Sequence, residues 1–247
     1  MNNNLGHLSP TIEHLARHWE TQRRAAAERD DVTPGVPHAF TVTISREAGT
    51  SSNLVAQEVG RRLGWQVYDD ELLERIADEM HVRTALLKSV DERHQSWLLE
   101  SIEAFGAAPE SDATVTEEAY VRHLVETVLA LGAHGECLIV GRGAAFILPA
   151  STTLRVRLVA PVKSRVSVFR RKLGIPDAEA ARRIKTIDRE RNNFVRNHFL
   201  RDPADPRHYD LLLNAGRLPI AVEAEVIIKT LRQLQAAARE KAEAVYS

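Results

Sequence analysis

An apolar, β-prone run from Phe40 to Ile44 breaks into small and polar residues, Ala48 to Asn53. It then resumes at helical spacing with Leu54, Val55, Val59 and Leu63. The hydrophobic period changes from that of a strand to 3.6, so the segment is predicted as strand, small-residue loop and helix. Gln66–Tyr68 predicts a short second strand that runs into Asp69 and Asp70, followed by a helix over 71–80. Cys137–Val140 is apolar throughout, as a strand covered on both faces requires. Residues 154–159 and 210–213 complete five strands. Helical periodicity fills the intervals at 82–104, 116–133, 163–173, 177 to about 198, and 220–245, while 106–114 is small, polar and acidic and reads as a loop. Strands alternating with helices predict a three-layer α/β/α domain around a largely parallel five-stranded sheet.

Ahead of this pattern, residues 9–30 predict a separate helix. Ser9 is its N-cap, Pro10 its first position, and Leu8, Ile12, Leu15 and Trp19 share a face. Turn-forming residues from Asp30 to Pro37 then make a linker. The chain is therefore divided into 1–38, helix and linker, and 39–247, the main domain, with the N-terminal helix a candidate homodimer surface. His14 and His18 lie one turn apart without a third ligand nearby, so they read as a solvated face and no metal site is expected.

Composition narrows the function classes. The 247 residues carry a net charge of -1, which gives no global pull towards nucleic acid or a membrane. Aromatics at 5% argue against stacking platforms for single strands. The single cysteine, Cys137, excludes an intrachain disulfide and a Cys-based zinc site, and its apolar neighbours make it a core thiol. The first residues carry no apolar leader, and no apolar run approaches the ~18 residues of a membrane span. The expectation is a soluble, cytoplasmic protein.

In a parallel α/β sheet, ligands bind beyond the carboxyl ends of the strands. Here those ends carry the Gly49–Asn53 loop, Asp69 with Asp70, and Arg142 between two glycines. A small-residue loop opening a helix is the layout of a phosphate cradle. The Walker A pattern G-x-x-x-x-G-K-[ST] would also supply a lysine, which this loop lacks. Taken singly, each piece has a plainer reading. The loop is also an ordinary N-cap, the two aspartates also cap the next helix, and the basic helices of 163–196 also make a salt-bridged surface. Only their joint order favours chemistry, with arginines neutralising charge in phosphoryl transfer.

That order resembles the cytidylate kinase-like branch of the P-loop nucleoside monophosphate kinases. The resemblance is carried by Ile44-Ser-Arg-Glu-Ala-Gly49, Leu63-Gly-Trp-Gln-Val-Tyr-Asp69, Ile139-Val-Gly-Arg-Gly-Ala-Ala-Phe-Ile-Leu-Pro149, Arg157-Leu-Val-Ala-Pro161, Asp188-Arg-Glu-Arg191 and Tyr209-Asp-Leu-Leu-Leu-Asn214. It implies a kinase fold with a basic lid, about 163–200, using ATP and Mg2+ to phosphorylate a nucleoside monophosphate, CMP or dCMP by default. It further implies that Gly49, Thr50, Ser51, Ser52 and Asn53 surround the ATP phosphates and that Asp69 and Arg142 bind the acceptor. Arg46, Arg165, Asp188 and Arg189 become the catalytic candidates.

The resemblance is incomplete at the loop. Aligned through Leu63-Gly64, the lysine position is Ser52, the glycine before it is Ser51, and the first glycine is Arg46. A lysine-less loop is common in this branch, and Arg46 stands where it could replace the missing cation. In the lid, Ile187 takes the place of an arginine. Three readings stay open: a nucleoside monophosphate kinase, a nucleotide-binding regulatory or scaffold protein of the same fold, and a kinase for another small acceptor.

Overall fold

The computed structural model describes residues 40–78 and 117–246 continuously, together with Thr21 before them and Arg83, Leu86, Leu87, Val90, Leu98 and 100–102 between them. Thr21 apart, the predicted N-terminal helix and its linker lie outside the described residues, as does the loop at 106–114. The described chain divides into two compact units. Residues 71–134 belong to one, and residues 40–70 with 135–246 to the other.

The larger unit is built on five parallel strands: β1 (Thr41–Arg46), β2 (Gln66–Tyr68), β3 (Cys137–Val140), β4 (Thr153–Val159) and β5 (Leu211–Asn214), in the order β2-β3-β1-β4-β5. Its helices are α1 (Ser52–Leu63), the start of α2 (Asp70–Asp78), a single turn α4 (Ala144–Ile147), α5 (Val162–Leu173), α6 (Asp177–Phe199) and α7 (Ile220–Tyr246). Helix α3 (Glu117–His134) belongs to the smaller unit. The α/β class and the parallel sheet follow the sequence reading closely. Strand β1 runs two residues past the apolar run, because Ser45 and Arg46 still pair in register with Arg157 and Leu158 of β4. Helix α4 was not expected, since a single turn is too short to show periodicity.

Register decides which face of the sheet is greasy. Val42 lies beside Leu138 and Leu154, and Ile44 beside Val140 and Val156, all fully buried. Against this face pack Val55, Ala56 and Val59 of α1 and Ala224, Ile227, Ile228 and Leu231 of α7. The alternate row carries Thr41, Thr43 and Thr153, then Ser45 opposite Arg157, so polar groups are brought towards the carboxyl edge. Cys137 lies 4.0 Å from the Thr41 hydroxyl, and burial pushes its thiol up to about 12, which makes it an unreactive core residue.

In the smaller unit, Leu73, Ile76 and Ala77 of α2 and Leu124, Val125, Val128, Leu129 and Leu131 of α3 are buried. Arg83 donates to the Ala77 carbonyl at 2.6 Å and pairs with Glu126 at 3.5 Å. No helix among the described residues is long and apolar enough to cross a membrane.

Glu223 on α7 is only 1% exposed, and its Oε2 has no hydrogen bond. Burial raises this carboxyl from 4.5 to about 7, so the fold favours its protonated form. The resulting stability is fully present below about pH 4.5 and is lost as pH rises through about 7. Glu223→Gln should flatten that decline and add about 2 kcal/mol at pH 8, read from urea midpoints across pH. A variant whose stability tracks the parent at every pH would contradict the assignment.

Candidate active site

The segment between β1 and α1 is shaped by a buried arginine. Arg165 of α5 is 6% exposed. Its Nε donates to the Ala160 carbonyl at 3.0 Å, and its Nη1 to the Ala48 carbonyl at 3.2 Å and to Asp188 Oδ2 at 2.5 Å. The other Asp188 oxygen accepts the Ala48 N–H at 2.7 Å, and Glu47 accepts the Ala160 N–H at 3.0 Å while lying 3.4 Å from Arg165. The Thr50 hydroxyl donates to the Glu47 carbonyl at 2.9 Å. Gly49, at φ 85°, is required here because a Cβ would stand 2.7 Å from the Arg165 carbonyl oxygen. Ser51 takes a left-handed conformation at the N-cap of α1 without a side-chain cap.

Thr50 closes a turn over residues 48–49, while the amide N–H groups of Gly49, Ser51, Ser52 and Asn53 find no acceptor among the described residues. A row of free amides at the start of a twelve-residue helix fits an oxyanion such as a phosphate of ATP. No group of three or more His, Cys, Asp or Glu gathers among the described residues to hold a metal. A magnesium ion here would be held largely by phosphates and water, its ordinary mode.

Beside the loop, at the carboxyl edge of the sheet, lies a cavity of about 390 Å3. Ser45 and Arg46 end β1, Asp70 follows β2, Gly141–Gly143 follow β3, and Arg157 comes from β4. Helix α6 closes it with Ile187, Glu190, Arg191, Phe194 and Val195, one face at helical spacing. Asp70 is the electrostatic hub. It pairs with Arg46 and lies 3.6 Å from Arg191 and 3.8 Å from Arg142. Arg157 donates to the Tyr209 hydroxyl at 3.3 Å, and that hydroxyl donates to the Pro203 carbonyl at 2.9 Å. Burial, and then the neighbouring Arg46, lower Arg191 to about 10, which leaves it charged at neutral pH. Four guanidiniums face two carboxylates, Asp70 and Glu190, so the lining is cationic.

The structure thus brings Arg46 and Arg142 into the cavity, sets 49–53 in the loop, and uses Arg165 and Asp188 to hold that loop. Asp69 does not line the cavity; its neighbour Asp70 does. Arg189 is exposed on α6, whereas Arg191 faces inward. Arg157 and Arg191 are lining residues to which sequence reasoning gave no role, and Asp70 was placed at the ligand edge with Asp69 without one. The inward spacing 187, 190, 191, 194, 195 was the available signal for Arg191.

Loop, cavity and sheet order together define an α/β protein of the P-loop kinase type. Residues 41–217, most of the chain, match the family described as the cytidylate kinase-like family, and the chain belongs to that family. Among solved structures it is similar to an uncharacterized protein from Eubacterium ventriosum ATCC 27560, with a TM-score of 0.61, 20% identity, and coverage of 78% of this chain and 98% of that one. A shikimate kinase from Bacteroides thetaiotaomicron aligns with a TM-score of 0.43 at 14% identity, covering 79% and 97%. Among curated proteins, a uronate isomerase from Corynebacterium glutamicum is 28% identical over 94 residues, 38% of this chain. The match spans only 18% of that protein's length.

Gly141, at φ 86°, holds a backbone conformation that favours glycine where the Arg46–Asp70 pair packs against it. A Cβ there would collide with Arg46 Nη1 and Asp70 Oδ1. Gly64, at φ 72°, has nothing within 4 Å of an added Cβ. Gly64→Ala should therefore cost only the left-handed strain, about 1 kcal/mol, and Gly141→Ala about 2–4 kcal/mol. Equal losses in urea melts would mean that Arg46 and Asp70 yield freely.

Proposed function

We propose that the chain is an ATP-dependent phosphotransferase that phosphorylates a nucleoside monophosphate, with CMP and dCMP the first acceptors to test. The observation that carries this reading is the cavity in which Arg46, Arg142, Arg157 and Arg191 converge beside a loop of free amides. Family membership supports a kinase-like reaction, and the acceptor assignment rests on the cavity.

On this reading the free amides of the Gly49–Asn53 loop hold the donor's phosphates. Arg142, Arg157 and Arg191 grip the acceptor's phosphate by charge-assisted hydrogen bonds. Arg46, beside both, stabilises charge that builds on the transferring group, the part a loop lysine would otherwise take. Arg165 and Asp188 keep the loop in shape. Phe146 and Phe194 give the acceptor's ring an apolar wall. When bound, magnesium supplies neutralising charge on the phosphates. Phosphoryl transfer needs little else from the protein than position and field.

The test is a coupled assay for ADP release across the nucleoside monophosphates, with ATP and magnesium. CMP or dCMP should be phosphorylated, and Arg142→Ala should weaken the acceptor's apparent affinity by roughly 10- to 100-fold. A second reading, a binding protein without turnover, draws on the absence of a lysine from loop and cavity alike. It wins if CMP or ATP raises the melting temperature while no acceptor is phosphorylated. Unchanged acceptor affinity in the Arg142 variant would sink the phosphate-binding role.

A further inference from the structure

Asp70 occupies an unusual position for a residue in a candidate anion site. It is a carboxylate set among the guanidiniums an incoming oxyanion would use. Its Oδ2 pairs with Arg46 and lies 3.6 Å from Arg191, and its Oδ1 lies 3.8 Å from Arg142. Glu190, the other lining carboxylate, is exposed on α6. Asp70 Oδ1 is buried and has no hydrogen bond, so full hydrogen-bond satisfaction is not what holds the carboxylate there. The attraction of three cations does. Gly141 permits it, since any side chain would drive Arg46 and Asp70 apart.

Without a central anion, Arg46, Arg142 and Arg191 would repel one another, opposed only by the strand, turn and helix that carry them. Asp70 offsets that repulsion. An oxyanion that enters meets both the three cations and the repulsion of the carboxylate already among them. We propose that Asp70 is a resident counter-ion: set among three arginines whose stems the sheet, the turn after β3 and α6 already fix, it competes with the ligand's oxyanion and tempers its affinity. The role rests on reading the cavity as the acceptor's anion site, but not on which nucleotide is phosphorylated.

Two small probes isolate the effect in the full chain by titration calorimetry at pH 8: methyl sulfate, a monoanion, and methyl phosphate, a dianion. Asp70→Asn removes the competing charge and keeps the shape. It should bind methyl sulfate at least threefold tighter than the parent. Methyl phosphate should tighten by roughly the square of that factor, because a dianion is relieved of twice the repulsion. Raising the salt should shrink both gains. If turnover is found, KM and kcat for the acceptor should fall together, since ground-state binding and product retention both increase.

A residue that merely supports the fold would behave the opposite way, with weaker anions and a higher KM in the variant. That result, or equal affinity in parent and variant, would overturn the proposal. Asp70→Ser is the second variant, read in the same way should Asp70→Asn not fold. Failure of both to fold would make Asp70 a folding residue and also overturn it. The calorimetric arms stand without catalysis, so a protein inert towards CMP would refute the proposed reaction and leave the counter-ion test decisive.

Discussion

Four guanidinium groups around one cavity repel one another, and the surrounding architecture holds that repulsion in check. Two bare like charges about 6 Å apart, at an effective dielectric constant of about 20, oppose one another by roughly 3 kcal/mol. The array survives because its members hang from different rigid parts. Arg46 and Arg157 sit on the neighbouring strands β1 and β4, Arg142 in the turn after β3, and Arg191 on α6. None can retreat without disturbing strand pairing or a helix. Asp70 offsets three of them, and the Tyr209 hydroxyl orients the fourth.

A second constraint fixes the loop. Arg165 would be an expensive residue to bury alone, since a lone buried charge loses several kcal/mol of hydration. Here it meets carbonyls from Ala48 and Ala160 and carboxylates from Glu47 and Asp188, groups that come from three separate parts of the chain. The same clamp explains how a loop with one glycine keeps a phosphate-loop shape. Ser51 holds a left-handed conformation that costs a non-glycine residue about 1 kcal/mol, and the clamp around Ala48 and Gly49 over-determines its neighbours.

The fold was legible because its signals are local. Cys137–Val140 needed no context to read as a buried strand, and every described strand began within a residue or so of its apolar run. The site was legible only as far as local signals reach. Arg46 and Arg142 stood out at strand ends, where chain direction alone aims them at the ligand edge. Choosing Asp70 over Asp69 depends on which side chain of a short turn faces inward, and choosing Arg191 over Arg189 on the rotation of α6 about its axis. Neither is written in residue type. Arg165 stands in the sequence reading as a catalytic candidate of the lid, and its burial as a clamp on the loop was not legible there because it depends on acceptors as distant as Glu47 and Asp188. Arg157 sat one alternation from Arg155 on the same face, but only the cavity separates them: Arg155 is satisfied by Asp210 at the edge, with Nη2 at 3.0 Å.

The missing lysine then takes on a different meaning. In a Walker A loop the cation rides on the loop helix, beside the phosphates it binds. Here that position is Ser52, which is buried, and the cations belong to the cavity beside the loop. The groups clamping the loop bring one guanidinium against two carboxylates, whereas the cavity brings four guanidiniums against two. The loop therefore offers an anion only amide dipoles, in a neighbourhood of negative charge, and the positive field comes from the other side. On the proposed reading, a donor's terminal phosphate would gain most by leaning out of the loop towards Arg46. Arg46 is fixed by the β1–β4 register rather than by a flexible loop, so the direction of that pull is set by the sheet. Charge placed across the cavity stabilises a phosphoryl group in transit more than one at rest on the loop, which is the difference on which catalysis depends.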